Sequence, residues 1–237
     1  TVASQLDVAA ETKSVKAIVL RINSPGGTIG ASQDIYQSIM RFKEKTKKPV
    51  VASILEVGAS GGYWIACAGD HIFSYPGSIV GSIGVIANTM DFTKVPDRYG
   101  IGVRTYKSVK YKDLLSSWRE PYQQEKVMVQ RMLDSSHRQF VTLVKKQRNL
   151  SNDQVQSVTN GSIYTGTDAM IEGLVDEIGT LYDAINHAGL LGGISGEPNV
   201  VYPSTNLKGF FQSFQSKFDP MSFFTRVIVH PAFNSLN

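Results

Sequence analysis

The turn Val57-Gly58-Ala59-Ser60-Gly61-Gly62 sets a serine among small residues, where an apolar run hands over to the compact segment SGGYWIACA. A strand-to-helix turn of this kind exposes a hydroxyl. It also aims the free N–H groups of the first helical turn at whatever that hydroxyl attacks. An N-cap serine would account for the same turn by itself. A second turn, Ser24-Pro25-Gly26-Gly27, adds to the picture. Two glycines opening a helix permit close backbone approach and leave N–H donors unpaired. The N–H groups of Gly27 and Gly61 together would make a two-donor oxyanion hole. In acyl transfer each such donor is worth about 2.7–4 kcal/mol. Taken alone, SPGG is also an ordinary type II turn.

A serine nucleophile needs a base. His71 lies past the far end of the short helix that Ser60 begins, and His137 falls inside a long helical pattern. His187 and His230 belong to the C-terminal part, so no histidine sits beside a glycine-rich turn. A lysine is the alternative, because desolvation lowers the pKa of a buried amine until its neutral form accepts the serine proton. Three lysines crowd Tyr106-Lys107-Ser108-Val109-Lys110-Tyr111-Lys112-Asp113, and periodicity does not choose among them. Cys67 is the single cysteine, which rules out an internal disulfide and a cysteine-built metal site. Its place in YWIACA predicts a buried structural thiol.

The elements that position these groups alternate. Residues 17–22 read as a buried strand, and Ile35, Ile39 and Phe42 recur at helical spacing between Thr28 and Lys47. Pro49 stops that helix and VVASIL follows as a second strand. Residues 71–74 and 79–86 are further strand candidates. Such alternation implies βαβ units and a largely parallel sheet. Right-handed crossovers then bring the turns 23–27 and 57–62 together beyond the carboxyl ends of the strands. A long helix is expected from Glu120 to Arg148, and a smaller helical pair over 151–158 and 165–172. GGISGEP reads as a linker. The expected division is a peptidase-type domain over 1–190 and a linker with a Phe-rich tail over 191–237. In that tail Phe211, Phe214 and Phe218 fall at helical spacing, as in a helix that closes the domain's own core or a segment that docks onto a neighbouring protomer, with a membrane-surface helix as a third reading.

Composition narrows the class. The 237 residues are 42% hydrophobic and 19% charged, the balance of an ordinary globular chain. The net charge of +4 is scattered, with local density at Lys43–Lys48 and Lys107–Lys112, and lacks the basic-aromatic face of a nucleic-acid binder. No run of 18 apolar residues occurs. Thr1 opens on the polar stretch TVASQLDVAAETKS without a signal-peptide pattern, and a missing upstream strand or anchor is expected.

Four ordered motifs carry a family resemblance: VKAIVLRINSPGG, VGASGGYWIACAGDHIFSYPGSIVGSIGVI, KYKD and YTGTDAMIEGLVDEIG. From about residue 15 to 186 the chain resembles the short type of the signal peptide peptidase A (protease IV) family. The resemblance implies an α/β fold, a crotonase/Clp-like βαβ spiral with a parallel sheet and a helical C-terminal part. It implies a serine peptidase with Ser60 as nucleophile, Lys112 as general base and Ser82 as the residue that orients the base. Gly27 and Gly61 match the oxyanion donors. Neither metal nor cofactor is implied. The implied substrates are hydrophobic peptides such as remnant signal peptides. The implied setting is a cell-membrane-anchored homo-oligomer on the extracytoplasmic side, whose active sites combine serine and lysine from different protomers. The related Clp protease carries a histidine base in the region after its nucleophile, and GSIGVIANT offers none. Two alternatives stand beside this reading: a peptide-binding homologue without catalysis, which would leave Lys112 in solvent, and a crotonase-type acyl-CoA enzyme.

Overall fold

The computed structural model describes residues 1–203 and the backbone of 226–232. Its chain divides into two compact units, residues 1–84 with 140–237, and residues 85–139.

The first unit is built on an eight-stranded sheet. Strand β1 (Val15–Ser24) pairs in parallel with β2 (Val50–Ala59). The second strand is long enough to serve two neighbours in succession. Val51–Ile54 pair with β3 (His71–Ser74), and Val57–Ala59 pair with β4 (Ile79–Gly81). The turn at Tyr75-Pro76-Gly77-Ser78 carries the chain from one neighbour to the other. The antiparallel strand β5 (Ile163–Thr165) extends the sheet beyond β4, and β6 (Glu177–Ile178) pairs with β3. β7 (Asn199–Val201) and β8 (Arg226–Ala232) complete it, with β8 lying between β1 and β7 in parallel to both. The sheet thus takes two strands from the region that the sequence sets apart as linker and tail. Phe211, Phe214 and Phe218 lie outside the described residues. The strand expected over 79–86 ends at Gly81.

Alternation along the strands separates two apolar layers, because successive side chains point to opposite faces. Ile18, Leu20 and Ile22 of β1 and Val50, Ala52 and Ile54 of β2 enter the larger core. Helix α1 (Val2–Glu11), α2 (Ile29–Thr46) and α3 (Gly61–Ala66) pack there. Ala17, Val19, Val51 and Phe73 face the other way and meet Ala184, Ile185 and Ala188 of a later helix, Leu181–Leu191. The expected α/β class is therefore observed, with helices on both faces of a mostly parallel sheet. Among the described residues no helix is long and apolar enough to cross a membrane.

The second unit holds the short helix α4 (Val95–Tyr99) and the first turns of α5 (Gln123–Arg148). The end of α5 returns to the first unit, where Phe140 stacks on Trp64 of α3 with ring centroids 4.7 Å apart. Two short helices, α6 (Asn152–Val158) and α7 (Gly166–Ile171), follow where the helical pair was expected. The remaining helix, α8 (Leu181–Leu191), begins at a Thr180–Asp183 capping box.

The last turn of α5 is tied to the sheet by an ion pair. Arg148 contacts Asp176 at 2.6 Å and donates to the Gly173 carbonyl at 2.9 Å, with its side chain only 9% exposed. Asp176 also accepts the Ile72 N–H. Although burial works against ionisation, the bonds from Arg148 and the Ile72 N–H hold the Asp176 carboxyl below the usual range. Asp176→Ala strands a buried guanidinium and should cost about 3 kcal/mol in urea unfolding. Because the folded-state pKa is depressed, the pair's contribution is complete above the unfolded value of about 3.9 and fades as pH falls through the folded value. The difference in stability between wild type and variant should narrow in that acid window.

Candidate active site

The two glycine-rich turns meet, as the strand order requires. Register runs Ser24↔Gly58 at the irregular end of the β1–β2 pair, so both strands finish side by side. Asn23 Oδ1 accepts the Val57 N–H at 3.1 Å and fastens one turn to the other.

The approach is closer than side chains would permit. A Cβ at Gly26 would lie 2.8 Å from Ser60 Cβ, 2.9 Å from Gly61 N and 3.1 Å from Ser60 Oγ. The backbone there has φ +114°, in the region that favours glycine. A Cβ at Gly62 would stand 2.6 Å from the Ser24 carbonyl oxygen. A Cβ at Gly61 would meet Ser32 Oγ and lie 3.2 Å from the Gly27 nitrogen, so the N–H groups of Gly27 and Gly61 are close neighbours. Neither donates to an acceptor among the described residues. Two unpaired N–H donors therefore flank the serine.

Ser60 itself is strained. Its backbone sits at φ 51°, ψ −121°, a conformation that costs a non-glycine residue about 1–3 kcal/mol. The Ser60 N–H donates to the Gly81 carbonyl at 2.8 Å, and the Ser60 carbonyl accepts the Trp64 N–H at 2.9 Å. One bond anchors the turn to β4 and the other starts α3. The Ser60 side chain is partly exposed, and its Oγ makes no hydrogen bond among the described residues. It is not the side-chain N-cap of α3. The strained turn thus presents a hydroxyl that neither caps the helix nor bonds elsewhere among the described residues.

The helix behind the serine is rigidly held. Tyr63 is fully buried and donates its hydroxyl to the Leu174 carbonyl at 2.7 Å. Cys67 is buried, as expected, and burial pushes its thiol up to about 12, so it is inert as a nucleophile.

Ser82 directly follows the carbonyl that holds Ser60. Its φ is 50° and its N–H donates to the Ser162 carbonyl at 2.7 Å. Ser60, Gly27, Gly61 and Ser82 thus all belong to the first unit, and hydrogen bonds and close backbone contacts join their turns.

Lys112 belongs to the second unit. The three candidate lysines differ there. Lys107 pairs with Asp113 at 2.7 Å, and Lys110 lies over the rings of Tyr111 and Tyr122 at 5.0 and 5.5 Å. The Lys112 side chain is exposed and makes no hydrogen bond or ion pair among the described residues. Its neighbour Asp113 is clamped by Arg119 at 2.8 Å, and Arg119 reaches buried Glu125 at 2.6 Å. These hydrogen bonds, Arg119 first and Lys107 second, hold the Asp113 carboxyl well below the usual range. The loop is pinned through Asp113, which leaves the adjacent lysine unengaged.

Sequence reasoning passed over Gly81 and the side chain of Asn23, which hold the turns, while it had Gly26 as a glycine that permits close backbone approach.

The match to the model of peptidase family S49 runs over residues 42–195. The chain belongs to peptidase family S49. Within this family the signal peptide peptidase A resemblance is confirmed by relatives. The chain is 41% identical over 184 residues to a protein of Synechocystis sp. provisionally named a protease, covering 78% of this chain and 66% of that one. It is 36% identical to an Enterococcus faecium protein provisionally named signal peptide peptidase SppA, over 77% of this chain and 53% of that one. It is 33% identical to the chloroplastic serine protease SPPA of Arabidopsis thaliana, over 74% of this chain and 26% of that one. The chain thus spans at most about two thirds of the length of these relatives.

The strain at Ser60 has a measurable signature. Ser60→Gly relieves the positive φ, whereas Ser60→Ala keeps it. The glycine variant should be about 1 kcal/mol more stable than the alanine variant in chemical denaturation, against the usual order of the two residues. An alanine variant more stable than the glycine variant, the usual order, would show that the turn carries no strain.

Proposed function

We propose that this S49 chain is a serine peptidase in which Ser60 attacks the scissile carbonyl and Lys112 serves as general base. The observation that carries the reading is the strained Ser60 turn beside the two unpaired N–H groups of Gly27 and Gly61. As Oγ attacks, the charge that develops on the carbonyl oxygen is stabilised by those donors, which need no reorganisation at that moment. The lysine takes the Oγ proton and returns it to the leaving amine, and water then repeats the cycle on the acyl-enzyme. Of the three lysines, Lys107 and Lys110 are already engaged, which favours Lys112. Ser82, next to the carbonyl that anchors Ser60, is the orienting hydroxyl for the base.

The exposure of Lys112 in the single chain favours a base supplied to a neighbouring protomer, and hence a homo-oligomer with shared sites. Large apolar side chains stand exposed in the second unit, Ile86, Met90, Val109 and Tyr106 among them, and support such an assembly and hydrophobic peptide substrates. The fold belongs, in this reading, with the crotonase/Clp-like spirals. The substrates are hydrophobic peptides such as remnant signal peptides, met at the extracytoplasmic face of the cell membrane. A second reading, peptide binding without catalysis, also has the solvated Lys112 in its favour.

Ser60→Ala and Lys112→Ala should each lose peptidase activity by at least about a thousandfold on a fluorogenic hydrophobic peptide. Lys107→Ala and Lys110→Ala should stay active. Co-refolding the two inactive variants should restore activity if protomers share sites, because some sites then combine an intact serine with an intact lysine. A Ser60→Ala variant within about tenfold of wild type would overturn the assignment. An inactive wild type that still binds the peptide would establish the second reading.

Ser82→Ala is expected to slow turnover less than either dyad change, since orientation rather than proton transfer is lost. A rate equal to wild type would remove Ser82 from the site.

A further inference from the structure

Away from the serine turn, three potential ligands from distant parts of the chain converge beneath α8. His71 opens β3, Glu177 lies on the neighbouring strand β6, and His187 projects from α8. One ligand atom from each lies within 4.8 Å of the other two. His71 Nε2 and Glu177 Oε2 are 3.4 Å apart, and the two imidazole rings are 4.2 Å apart at their centroids.

We propose that His71, Glu177 and His187 form a binding site for a divalent transition metal, zinc foremost, that clips α8 to the β3–β6 edge of the sheet. His71 Nε2 is buried and makes no hydrogen bond among the described residues, which is costly for a ring nitrogen unless something else engages it. Its 3.4 Å separation from Glu177 Oε2 matches the edge of a tetrahedron with metal–ligand bonds of about 2.0–2.1 Å. Two imidazoles and one carboxylate are a set that zinc accepts, with water in the fourth place, whereas magnesium and calcium prefer oxygen alone.

The surroundings fit. Phe73 packs against both rings, at 4.8 and 5.4 Å, and forms an apolar wall. The nearby Asp176 is occupied by Arg148 and the Ile72 N–H, which leaves Glu177 as the available carboxylate. Its side chain is 55% exposed, so the site opens to solvent on that side and Glu177 has room to close on an ion.

This site has no part in the acyl-transfer chemistry. His71 pairs with Val51 near the start of β2, and Ser60 follows the end of that strand. Most of the length of β2 lies between the two. The inference therefore stands whether or not Ser60 is a nucleophile.

The test is zinc binding by the full chain stripped of metal with chelator, at neutral pH, followed by isothermal titration and by metal analysis after gel filtration. One equivalent of zinc is expected, with a rise in melting temperature, and cobalt in its place should give the visible bands of a four-coordinate ion. His71→Ala and His187→Ala should each weaken binding by at least tenfold, as about the least that loss of a ligand costs. Ser60→Ala and His137→Ala should bind as wild type does. Glu177→Gln, at an exposed position where misfolding is not an issue, should lower affinity and change the cobalt spectrum. Circular dichroism separates a lost ligand from a lost fold in the histidine variants. Absence of stoichiometric zinc in the wild type, or equal affinity in Glu177→Gln and wild type, would overturn the proposal.

Discussion

The arrangement around Ser60 depends on two backbone turns approaching more closely than side chains allow. The Gly26–Gly27 turn and the Ser60–Gly62 turn lie in contact, with no room for a Cβ at Gly26, Gly61 or Gly62. The parallel β1–β2 pair supplies the register that brings them together. The Asn23 side chain and the Gly81 carbonyl hold the two turns in place. Two donors unpaired among the described residues are a cost that the fold bears here, and strain at Ser60 adds to it. Packing offsets both: Tyr63, Trp64, Ile65 and Ala66 immediately behind the serine are all buried. The turn is therefore held by its support rather than by its own preference.

The second unit follows a different logic. Its organising feature is a charge cluster, Lys107–Asp113–Arg119–Glu125, in which each carboxylate has a cationic partner. Such a cluster fixes a loop without burying much apolar surface, which fits a segment whose large apolar side chains stand largely exposed. Arg148–Asp176, by contrast, is a single pair placed where α5 rejoins the sheet, and removal of either partner strands the other.

Much of the first unit was legible in the sequence because its signals are local. The β-branched run 17–22, the helical spacing of Ile35, Ile39 and Phe42, and Pro49 after α2 each announce an element within a few residues. The Ser60 and Gly26–Gly27 turns were legible as turns at strand ends for the same reason. Where partners are distant, the signal disappears. The short strands β5 and β6 exist because β4 and β3 offer them an edge, not because Ile163–Thr165 or Glu177–Ile178 have a pattern of their own. Helix α1 starts from a Thr1–Ser4 capping box inside a stretch that reads as merely polar. α8 carried a usable sign, the Thr180–Asp183 box, which periodicity alone did not reveal. His71, Glu177 and His187 lie too far apart in sequence for any motif to join them. The choice of Lys112 among three lysines likewise had no local basis, since only the partners of Lys107 and Lys110 distinguish them.

The position of β8 has a consequence for the order in which the molecule is completed. β1 is one of the first segments of the described chain to be synthesised, and Val15 pairs with the region of Arg226, about two hundred residues later. Until residues 226–232 arrive, one flank of a largely apolar strand has open N–H and C=O groups. A nascent chain in that state presents a template for β-addition by any extended segment nearby, including the same strand of another copy. Parallel closure over so long a separation is also slow. The vulnerable species is thus a chain in which residues 226–232 have yet to be added, with its turns in place and its sheet still open beside β1.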